Sequence, residues 1–363
     1  MRIKIKYIHR LMFLGMVSML CLLFSLAAAE SVSVSVADVK GNKPAIYTLI
    51  SDDGYYDSGV ILNELAKKHD LRVTVAGYSR RLNVNYAEWQ AIESQGHVEV
   101  VSHSFNHRKM ADTEIISDDE YYQEIYGSRL FTEEMFGKPM FAFVAPNNQM
   151  TERGYMFLRG AGYFAVRRGE RGLNPLSPAD GYAPFEWFNL GCYGIGDVSS
   201  TSERNHWIDK AIESKAWLIE MWHCISPEAD STYQSISTAM ADEHLAYAAG
   251  QRKQGNLWVA SYEDAVRYIR ERQNAAVQVV ETTRDSAVIE LSCDRSFLPQ
   301  SIFSDPLTLN VTLPEDWAYI FVFQNGRACE VTPLDEAHRV FSFDAVPDGG
   351  LIEIQALTSI PAA

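Results

Sequence analysis

The stretch Ala45–Gly54, AIYTLISDDG, decides how the rest of the chain is interpreted. It begins as an apolar, β-prone run, which is typical of a buried strand. The run ends in two adjacent carboxylates, Asp52 and Asp53, followed by Gly54. Adjacent side chains on a strand point to opposite faces, so both carboxylates can serve one site only if the backbone kinks, and Gly54 permits that kink. The pattern predicts either a polar site at the rim of a sheet or an ordinary solvated turn.

The first 29 residues have the pattern of a secretory signal peptide. Four basic residues precede the apolar run Leu11–Leu26, and three alanines, residues 27–29, offer a small-residue cleavage site. We therefore expect an exported protein, periplasmic or extracellular, with no stable membrane insertion after cleavage. The alternative is an uncleaved anchor, because Leu11–Ala29 is nearly long enough to span a bilayer.

Composition limits the partners of the mature chain. The full sequence has a net charge of −15, and residues 1–29 contain four basic and no acidic residues, so the remaining 334 residues would carry −19. Such acidity argues against nucleic acid and anionic membranes as partners. The four cysteines that remain are compatible with one disulfide in each half of the chain or with four isolated thiols; they are Cys192, Cys224, Cys293 and Cys329.

Strand and helix patterns alternate from the opening stretch to Gln273. About seven strand–helix units follow one another, which implies a parallel sheet and a distorted (β/α) barrel. The pattern changes near Asn274, after which only short alternating segments separated by turn residues occur, as in a small all-β sandwich. We predict an α/β domain over residues 30–273 and a sandwich over residues 274–363, after a signal peptide over residues 1–29.

Two histidines follow a second predicted strand of this sheet. In the segment SHSFNH, His103 and His107 are four residues apart, so on a helical turn they would face the same way. With Asp53 they would supply two imidazoles and one carboxylate, a standard ligand set for a catalytic zinc ion. Two surface or helix-capping histidines would also explain the spacing. The site is favoured because both motifs follow strands of one parallel sheet, whose carboxyl ends gather active sites.

Two further strand ends carry polar residues. The segment FVAPNN leads through Pro146 to Asn147, and the segment LIEMWH ends in His223. His223 alone could be a hydrogen-bonded core histidine. Tyr55 and Trp222 could stack on sugar rings if they line a cleft, although core packing would also account for such aromatic residues.

Together these motifs resemble the polysaccharide deacetylases, the nodulation-protein-B homology domain of carbohydrate esterase family four. The resemblance covers roughly Pro44–Gln273 and rests on the order and spacing of the Asp-Asp-Gly strand end, the His-Ser-x-x-His segment, the proline segment and the strand end with histidine. It implies that Asp52 is the general base and His223 the general acid, and that the metal ligands are Asp53, His103 and His107. The backbone N–H of Asn147, after Pro146, would complete an oxyanion hole.

The sequence departs from the family pattern at the residue before the proline segment. The family has an arginine there that orients the base, and this chain has Val144, which cannot form that ion pair. We hypothesise that Arg167 or Arg168, at the end of a later strand, reaches the same carboxylate; both could equally be surface arginines. The family's aromatic segment is also unclear, and Trp187 and Trp222 are candidates for the wall of the acetyl pocket.

The sequence therefore predicts an exported metal-dependent hydrolase that removes N- or O-linked acetyl groups from a polysaccharide or oligosaccharide. The expected cofactor is a divalent metal, Zn²⁺ first, although Co²⁺, Ni²⁺ or Fe²⁺ suits the same ligands. Two alternatives remain at this point. One is a carbohydrate-binding protein that has lost turnover, as Val144 suggests, and the other is a metallohydrolase acting on another C–N or C–O bond.

Overall fold

The computed structural model describes residues 32–176, 186–194, 196, 200–230, 232–317 and 319–357. The predicted signal peptide, residues 1–29, lies outside these residues. Among the described residues, no helix is both long enough and apolar enough to cross a membrane. The chain divides into two compact units: Val36–Ala276 with Ser292–Thr308 form the larger one, and residues 32–35, 277–291 and 309–357 belong to the smaller one.

The larger unit is built on a closed barrel of seven parallel strands, which confirms the predicted fold. After β1 (Ser33–Val36), which belongs to a terminal sheet, the barrel strands are β2 Ala45–Asp53, β3 Val73–Gly77, β4 Val98–Ser102, β5 Ala142–Val144, β6 Ala165–Arg171, β8 Leu190–Gly194 and β9 Ala216–Trp222. They pair in this order, and β9 pairs back with β2.

Four short strands accompany the barrel. Asn174–Pro175 forms β7, which pairs antiparallel with β9, and Leu257–Val259 forms β12, which pairs parallel with β2. Ile225–Ser226 (β10) and Ile236–Ser237 (β11) form a separate parallel pair directly after β9.

Helices cover the outside of the barrel. They are α1 Tyr56–His69, α2 Ser79–Leu82, α3 Tyr86–Glu93, α4 Asp118–Tyr122, α5 Ser128–Phe136, α6 Glu152–Gly160, α7 Thr201–Glu213, α8 Thr238–Lys253 and α9 Tyr262–Asn274. Side chains on β2 alternate between its two faces and so pack into two separate hydrophobic clusters. Tyr47 and Leu49 pack with residues of the outer helices, whereas Ile46 and Ile50 pack in a cluster with residues of α9 and of neighbouring strands. All nine residues of β2 are buried, as expected for a strand covered on both faces.

Helix α9 closes the amino-terminal end of the barrel. The backbone N–H of Tyr262 donates to the hydroxyl of Thr74 at 2.9 Å, and the carboxylate of Glu263 accepts from the backbone N–H of Phe141 at 3.1 Å. Thr74 lies near the start of β3, and Phe141 directly precedes β5. This end of the barrel is therefore filled by structural contacts, and the carboxyl ends of the strands are the end that can hold a site.

The carboxyl-terminal strands form two sheets with antiparallel pairs. Their bounds are β13 Ala275–Thr282, β14 Ser286–Cys293, β15 Leu307–Thr312, β16 Tyr319–Gln324, β17 Arg327–Cys329, β18 Thr332–Pro333, β19 Val340–Ala345 and β20 Ile352–Leu357. One sheet has the order β1-β15-β19-β18 and the other β13-β14-β20-β16-β17. In β14, burial alternates strictly, with Ala287, Ile289 and Leu291 buried, so the period-two pattern in the sequence reflects strands with one core face.

Residues 292–308 group with the barrel rather than with the terminal sheets. The ring of Phe303 lies 5.0 Å from that of Phe164 and 5.5 Å from that of Phe141, between ring centroids. The predicted boundary at residues 273/274 thus lies close to the start of β13, while a later segment returns to the barrel core. Among the residues that the structure describes, no two cysteines form a disulfide.

Candidate active site

The end of β2 brings both neighbouring aspartates to one cavity. Asp53 has a left-handed backbone with φ of 71°, and Gly54 follows with φ of 67°. This is the kink that the sequence required, and as a result Asp52 and Asp53 both line the same cavity. A Cβ atom at Gly54 would lie 3.0 Å from the Cα of Gly77, so both the backbone angle and the available space favour glycine there.

His103 and His107 converge on Asp53. The Oδ1 atom of Asp53 lies 3.1 Å from Nε2 of His107 and 3.4 Å from Nε2 of His103. The Nδ1 atom of His103 is 2.8 Å from the carbonyl oxygen of Val144, to which it can donate. This bond fixes the ring with Nε2 toward Asp53. In metal-binding histidines, the ring nitrogen that does not bind the metal commonly donates to a backbone carbonyl in the same way.

The two histidines meet through a loop and not through a helical turn, so that part of the sequence interpretation is wrong. Ser104 and His107 both have left-handed backbones, with φ of 68° and 62°. The hydroxyl of Ser104 accepts a hydrogen bond from the backbone N–H of His107 at 3.0 Å. The loop therefore turns back on itself, and the imidazole rings stand 4.9 Å apart between centroids. Strained backbone at these positions is typical of functional sites.

The donor set fits a divalent cation. One ligand atom from each of Asp53, His103 and His107 lies within 4.8 Å of the others. Oδ1 of Asp53 is buried, and among the described residues no donor makes a well-aligned hydrogen bond to it despite the short distances to both rings. Burial disfavours the charged carboxylate, but the interactions with the two histidines outweigh it and hold the pKa of Asp53 well below its ordinary value. An ionised carboxylate facing two imidazoles is a ligand set that suits zinc.

Asp52 forms a buried ion pair with Arg167. Nη2 of Arg167 lies 2.5 Å from Oδ2 of Asp52, and the two side chains are 0% and 4% exposed. Arg167 lies directly across from Val144 in the register of β5 and β6. The guanidinium absent at Val144 is thus supplied from the neighbouring strand. Oδ1 of Asp52 is buried without a hydrogen-bond partner among the described residues, which leaves one oxygen available in the cavity.

Two further groups contact Arg167. Its Nη1 atom donates to the Oδ1 atom of Asn148 at 2.9 Å and lies 3.7 Å from the sulfur of Cys192. Burial disfavours the charged guanidinium, but the Asp52 carboxylate and Cys192 more than compensate and raise the pKa of Arg167 above its ordinary value. The guanidinium is therefore permanently charged and held from two sides, which fixes its orientation toward Asp52.

Asn148 was not singled out from the sequence. Asn147 and Asn148 both have left-handed backbones, with φ of 54° and 57°, a conformation that asparagine tolerates better than most residues. The Asn-Asn pair after Pro146 was the available signal. A Cβ atom at Gly169 would lie 2.2 Å from the side chain of Asn148. Residue 169 must therefore be glycine if the Asn148 side chain is to keep the position in which it contacts Arg167.

His223 lies at the end of β9 and faces the cavity. It is largely buried, and its Nδ1 atom has no hydrogen-bond partner among the described residues. Its ring is perpendicular to that of Tyr233, with 4.7 Å between the ring centroids, and its backbone carbonyl oxygen accepts a hydrogen bond from the hydroxyl of Ser51 at 2.9 Å. Burial lowers the pKa of His223 although the nearby Asp52 and Asp53 charges oppose this. Burial is therefore the larger of the opposing effects on the pKa of this ring.

Three residues predicted for the site lie elsewhere. Arg168 follows Arg167 on β6 and therefore points to the opposite face, where it borders a second cavity with Trp187. Trp187 packs against Arg270, with 4.1 Å from the guanidinium carbon to its ring centre, and donates to Gln273. Trp222 is completely buried in the core under the helices. The predictions of a base-orienting Arg168 and of an acetyl pocket walled by Trp187 and Trp222 are not supported by these positions.

The remaining predicted residues are near the site. Asn147 is exposed and lines the cavity, and Pro146 beside it is buried. The cavity has a volume of about 620 Å³, within the range of small-molecule sites. Tyr55 lines it, as the sequence suggested for a sugar-stacking residue. Residues that the sequence analysis did not identify complete the wall; they are Asn148, Gly169, Arg171, Cys192, Gly194, Met221, Tyr233 and Gln234.

The chain matches a known family over its first barrel strands. Residues 39–166 match the family model described as polysaccharide deacetylase. The matched segment contains Asp52, Asp53, His103 and His107. It ends one residue before Arg167 and does not reach His223.

A curated relative and several solved structures are also similar. A gellan lyase from Bacillus sp is 22% identical over 337 residues, a match that covers 86% of this chain and 13% of that protein. A family 4 carbohydrate esterase from Streptomyces lividans in complex with acetate has a TM-score of 0.42 and 14% identity, covering 60% of this chain and 92% of that one. A family 4 pseudoenzyme from Bacillus anthracis has a TM-score of 0.44 and 15% identity, covering 62% and 66%.

Proposed function

We propose that this chain, of which residues 39–166 match the polysaccharide deacetylase family model, is a metal-dependent hydrolase that removes acetyl groups from an acetylated polysaccharide or oligosaccharide. The observation that carries this proposal is that one cavity is lined by Asp52, which is paired with the buried Arg167, and by the converging Asp53, His103 and His107. A base and a metal-ligand set side by side are what hydrolysis of an amide or ester by an activated water requires.

The metal would be held by one carboxylate oxygen of Asp53 and the Nε2 atoms of His103 and His107. A divalent cation there would acidify a water molecule and polarise the acetyl carbonyl. The left-handed backbones of Asp53 and His107 and the hydrogen bond of His103 to the carbonyl of Val144 hold these donors in place. Zn²⁺ suits two imidazoles and one carboxylate best, and Co²⁺, Ni²⁺ or Fe²⁺ would fit the same ligands.

Asp52 would be the general base. Its Oδ2 atom is engaged by Arg167, so Oδ1 is the oxygen that takes the proton from the attacking water. Arg167 would act through Asp52, because the ion pair fixes the orientation of the buried carboxylate. The adjacent Asp53 would bind the metal. The two neighbouring carboxylates would thus have different roles, Asp52 as the base and Asp53 as a metal ligand.

His223 would be the general acid. As the bond from the acetyl carbon breaks, the departing nitrogen or oxygen needs a proton, which the protonated form of the His223 ring would donate. Burial lowers the pKa of this ring, and the nearby charges of Asp52 and Asp53 favour the protonated form. Tyr233 packs against this ring and limits its orientation. The backbone N–H of Asn147, next to buried Pro146, would donate to the carbonyl oxygen as negative charge develops on it. The products are acetate and a free amine or hydroxyl on the sugar.

The proposal includes export, which rests on the sequence pattern of residues 1–29 alone. It also explains why Val144 need not abolish turnover. The alternative function, a carbohydrate-binding protein without activity, was suggested because Val144 stands where the family has an arginine. Arg167, across from Val144 on the next strand, contacts Asp52 instead.

The test is acetate release from a panel of N-acetylated and O-acetylated glycans. We expect release that stops with a chelator and returns when zinc is added back. N-acetyl and O-acetyl substrates in the same panel identify the bond that is cleaved. Stoichiometric metal binding with no acetate from any glycan would instead support the binding protein.

A further inference from the structure

His107 is the most exposed of the three proposed metal ligands. Its side chain is 27% exposed, compared with 12% for Asp53 and 1% for His103. The ring of His103 is held by burial and by its hydrogen bond to the carbonyl oxygen of Val144. His107 lies instead in a loop and has a left-handed backbone. The position of its ring therefore depends on the contacts that hold the backbone of this loop.

A buried carboxylate, that of Glu124, binds the loop on both sides of His107. Its Oε2 atom accepts hydrogen bonds from the backbone N–H groups of Asn106 at 2.9 Å and Arg108 at 3.3 Å. Its Oε1 atom accepts from the side-chain amide of Asn106 at 2.8 Å. The N–H of His107 itself donates to the hydroxyl of Ser104. Each backbone N–H from residue 106 to residue 108 thus has a side-chain acceptor.

These contacts have a physical reason in the shape of the loop. Backbone N–H groups in a loop have no partners in a helix or sheet and must find other acceptors. Successive N–H groups in a turn that includes left-handed residues converge on a small concavity that suits an anionic group. Here that group is the carboxylate of Glu124, which is 4% exposed. A carboxylate makes stronger hydrogen bonds than a neutral acceptor, so this one side chain can fix the course of the loop.

Glu124 is itself firmly placed. It lies in the π-helical turn Gln123–Gly127, which joins α4 to α5, and its neighbour Ile125 is completely buried. Directly after this turn, the hydroxyl of Ser128 lies 2.6 Å from the hydroxyl of Ser102, the last residue of β4. The turn is therefore tied to the strand from which the loop starts. Single π-helical turns of this kind occur frequently at functional sites.

We propose that Glu124 is a positioning residue for the metal ligand His107 and that it sets the affinity of the site for a divalent cation. This inference rests on the metal site of the proposed function and adds a residue that acts only through the loop. Without the carboxylate, the N–H groups of Asn106 and Arg108 would turn to water. The loop would then no longer hold the ring of His107 against Asp53.

The test compares two variants of similar size, Glu124→Met and Glu124→Gln. Methionine fills the space but accepts no comparable hydrogen bond. Glutamine keeps one oxygen for the two backbone N–H groups, and the amide of Asn106 can rotate to accept from the new NH₂ group. Zinc is the probe, and its Kd is measured by competition with a chelator at a temperature at which thermal unfolding shows each variant to be folded.

We expect Glu124→Met to bind zinc at least about tenfold more weakly than the wild type, as is typical when a group that orients a metal ligand is lost. Glu124→Gln should remain close to the wild type. Asn106→Ala, at an exposed position, removes only the contact to Oε1 and should weaken zinc binding in the same direction by a smaller factor. This third variant tests the proposal even if Glu124→Met does not fold.

Glu263→Met is the matched control for a general loss of stability. Glu263 is also buried, and its carboxylate also accepts from backbone N–H groups, those of Phe141 and Ala142, but at the opposite end of the barrel. Its replacement should lower the temperature of unfolding and leave the Kd for zinc unchanged. A structural role alone would therefore not produce the result expected for Glu124.

Three results would overturn the inference. The first is a Kd for zinc that is the same in the wild type as in Glu124→Met or, if that variant does not fold, in Asn106→Ala. The second is an equal loss of affinity in Glu124→Met and Glu124→Gln, and the third is a wild type that binds no zinc. A zinc-loaded wild type that releases no acetate would refute the proposed function alone, because the Kd is measured without substrate.

Discussion

Arg167 and Asp52 form a buried ion pair across the barrel, with 2.5 Å between Nη2 and Oδ2, although the residue where the family has its arginine is Val144. Arg167 and Val144 are register partners on adjacent strands. The arginine that contacts Asp52 therefore lies on the strand next to the one that carries Val144. Four predictions about activity, metal binding and stability follow from this geometry and from the groups around it.

Arg167→Gln should lower kcat by about 100-fold, a typical contribution of a general base, with a smaller change in KM. It should also destabilise the fold by about 3 kcal/mol, because a buried carboxylate loses its partner. The double variant Arg167→Val with Val144→Arg should recover part of kcat, since it returns the arginine to the family position. Steady-state kinetics on folded protein checks this, and turnover that is unchanged in Arg167→Gln would contradict the assigned role.

Asn148 should matter through Arg167. Asn148→Gly keeps the left-handed backbone but removes the acceptor for Nη1, so we expect kcat to fall about tenfold, in keeping with one lost hydrogen bond to a charged group. Asn148→Asp retains an acceptor and should keep most of the activity. Equal kcat values for the glycine and aspartate variants would argue against a positioning role for Asn148.

Metal binding should stabilise the protein through Asp53, His103 and His107. At a zinc concentration 100 times the Kd, binding adds about 2.7 kcal/mol to the free energy of unfolding. Thermal unfolding of the wild type should therefore shift upward with zinc, and His103→Ala should lose the shift. His97→Ala is a suitable control, because His97 precedes the opposite end of the same strand and is 3.2 Å from the carbonyl oxygen of Leu71. A zinc-dependent shift retained in His103→Ala would exclude this site.

Glu271 should make stability depend on pH. Burial raises the pKa of its carboxyl to about 7, despite a backbone hydrogen bond from Asp305 and the charge of Arg295. A raised pKa means that the folded state penalises the ionised form, so this group destabilises the protein as pH rises from about 4.5 to 7. The penalty above that window is about 3 kcal/mol.

Glu271→Gln should therefore flatten the dependence of unfolding free energy on pH between about 4.5 and 7. Urea unfolding at a series of pH values measures that slope. Glu64→Gln, at an exposed glutamate, is the matched control and should leave the slope unchanged. The same slope in wild type and Glu271→Gln would show that the carboxyl of Glu271 is not responsible.

The barrel was predictable because apolar residues recur with a different spacing along its strands than along its helices. Continuous apolar runs marked strands buried on both faces, and the switch to alternating segments near Asn274 marked the terminal sheets. The site ligands were predictable for a related reason: Asp53 and His103 both follow such runs, and parallel strands end at the same rim.

The errors and omissions arise from side-chain direction and loop geometry. Arg167 and Arg168 could not be separated until the register of β6 was known, because neighbouring side chains face opposite ways. The same alternation puts Trp222 in the core while Met221 lines the cavity. The contact of Asn148 with Arg167 depends on a left-handed backbone, which the spacing of apolar residues in the sequence does not predict. These features are set by tertiary pairing, which one sequence does not reveal.

The most direct test of the central claim compares acetate release by the wild type and Asp52→Asn, each with its zinc content measured. The asparagine side chain is nearly the same size as that of aspartate but lacks its basic oxygen, so the variant isolates the base from the metal site. We predict equal zinc stoichiometry and acetate release at least about 100-fold slower in the variant. Equal acetate release from both zinc-loaded proteins would contradict the account.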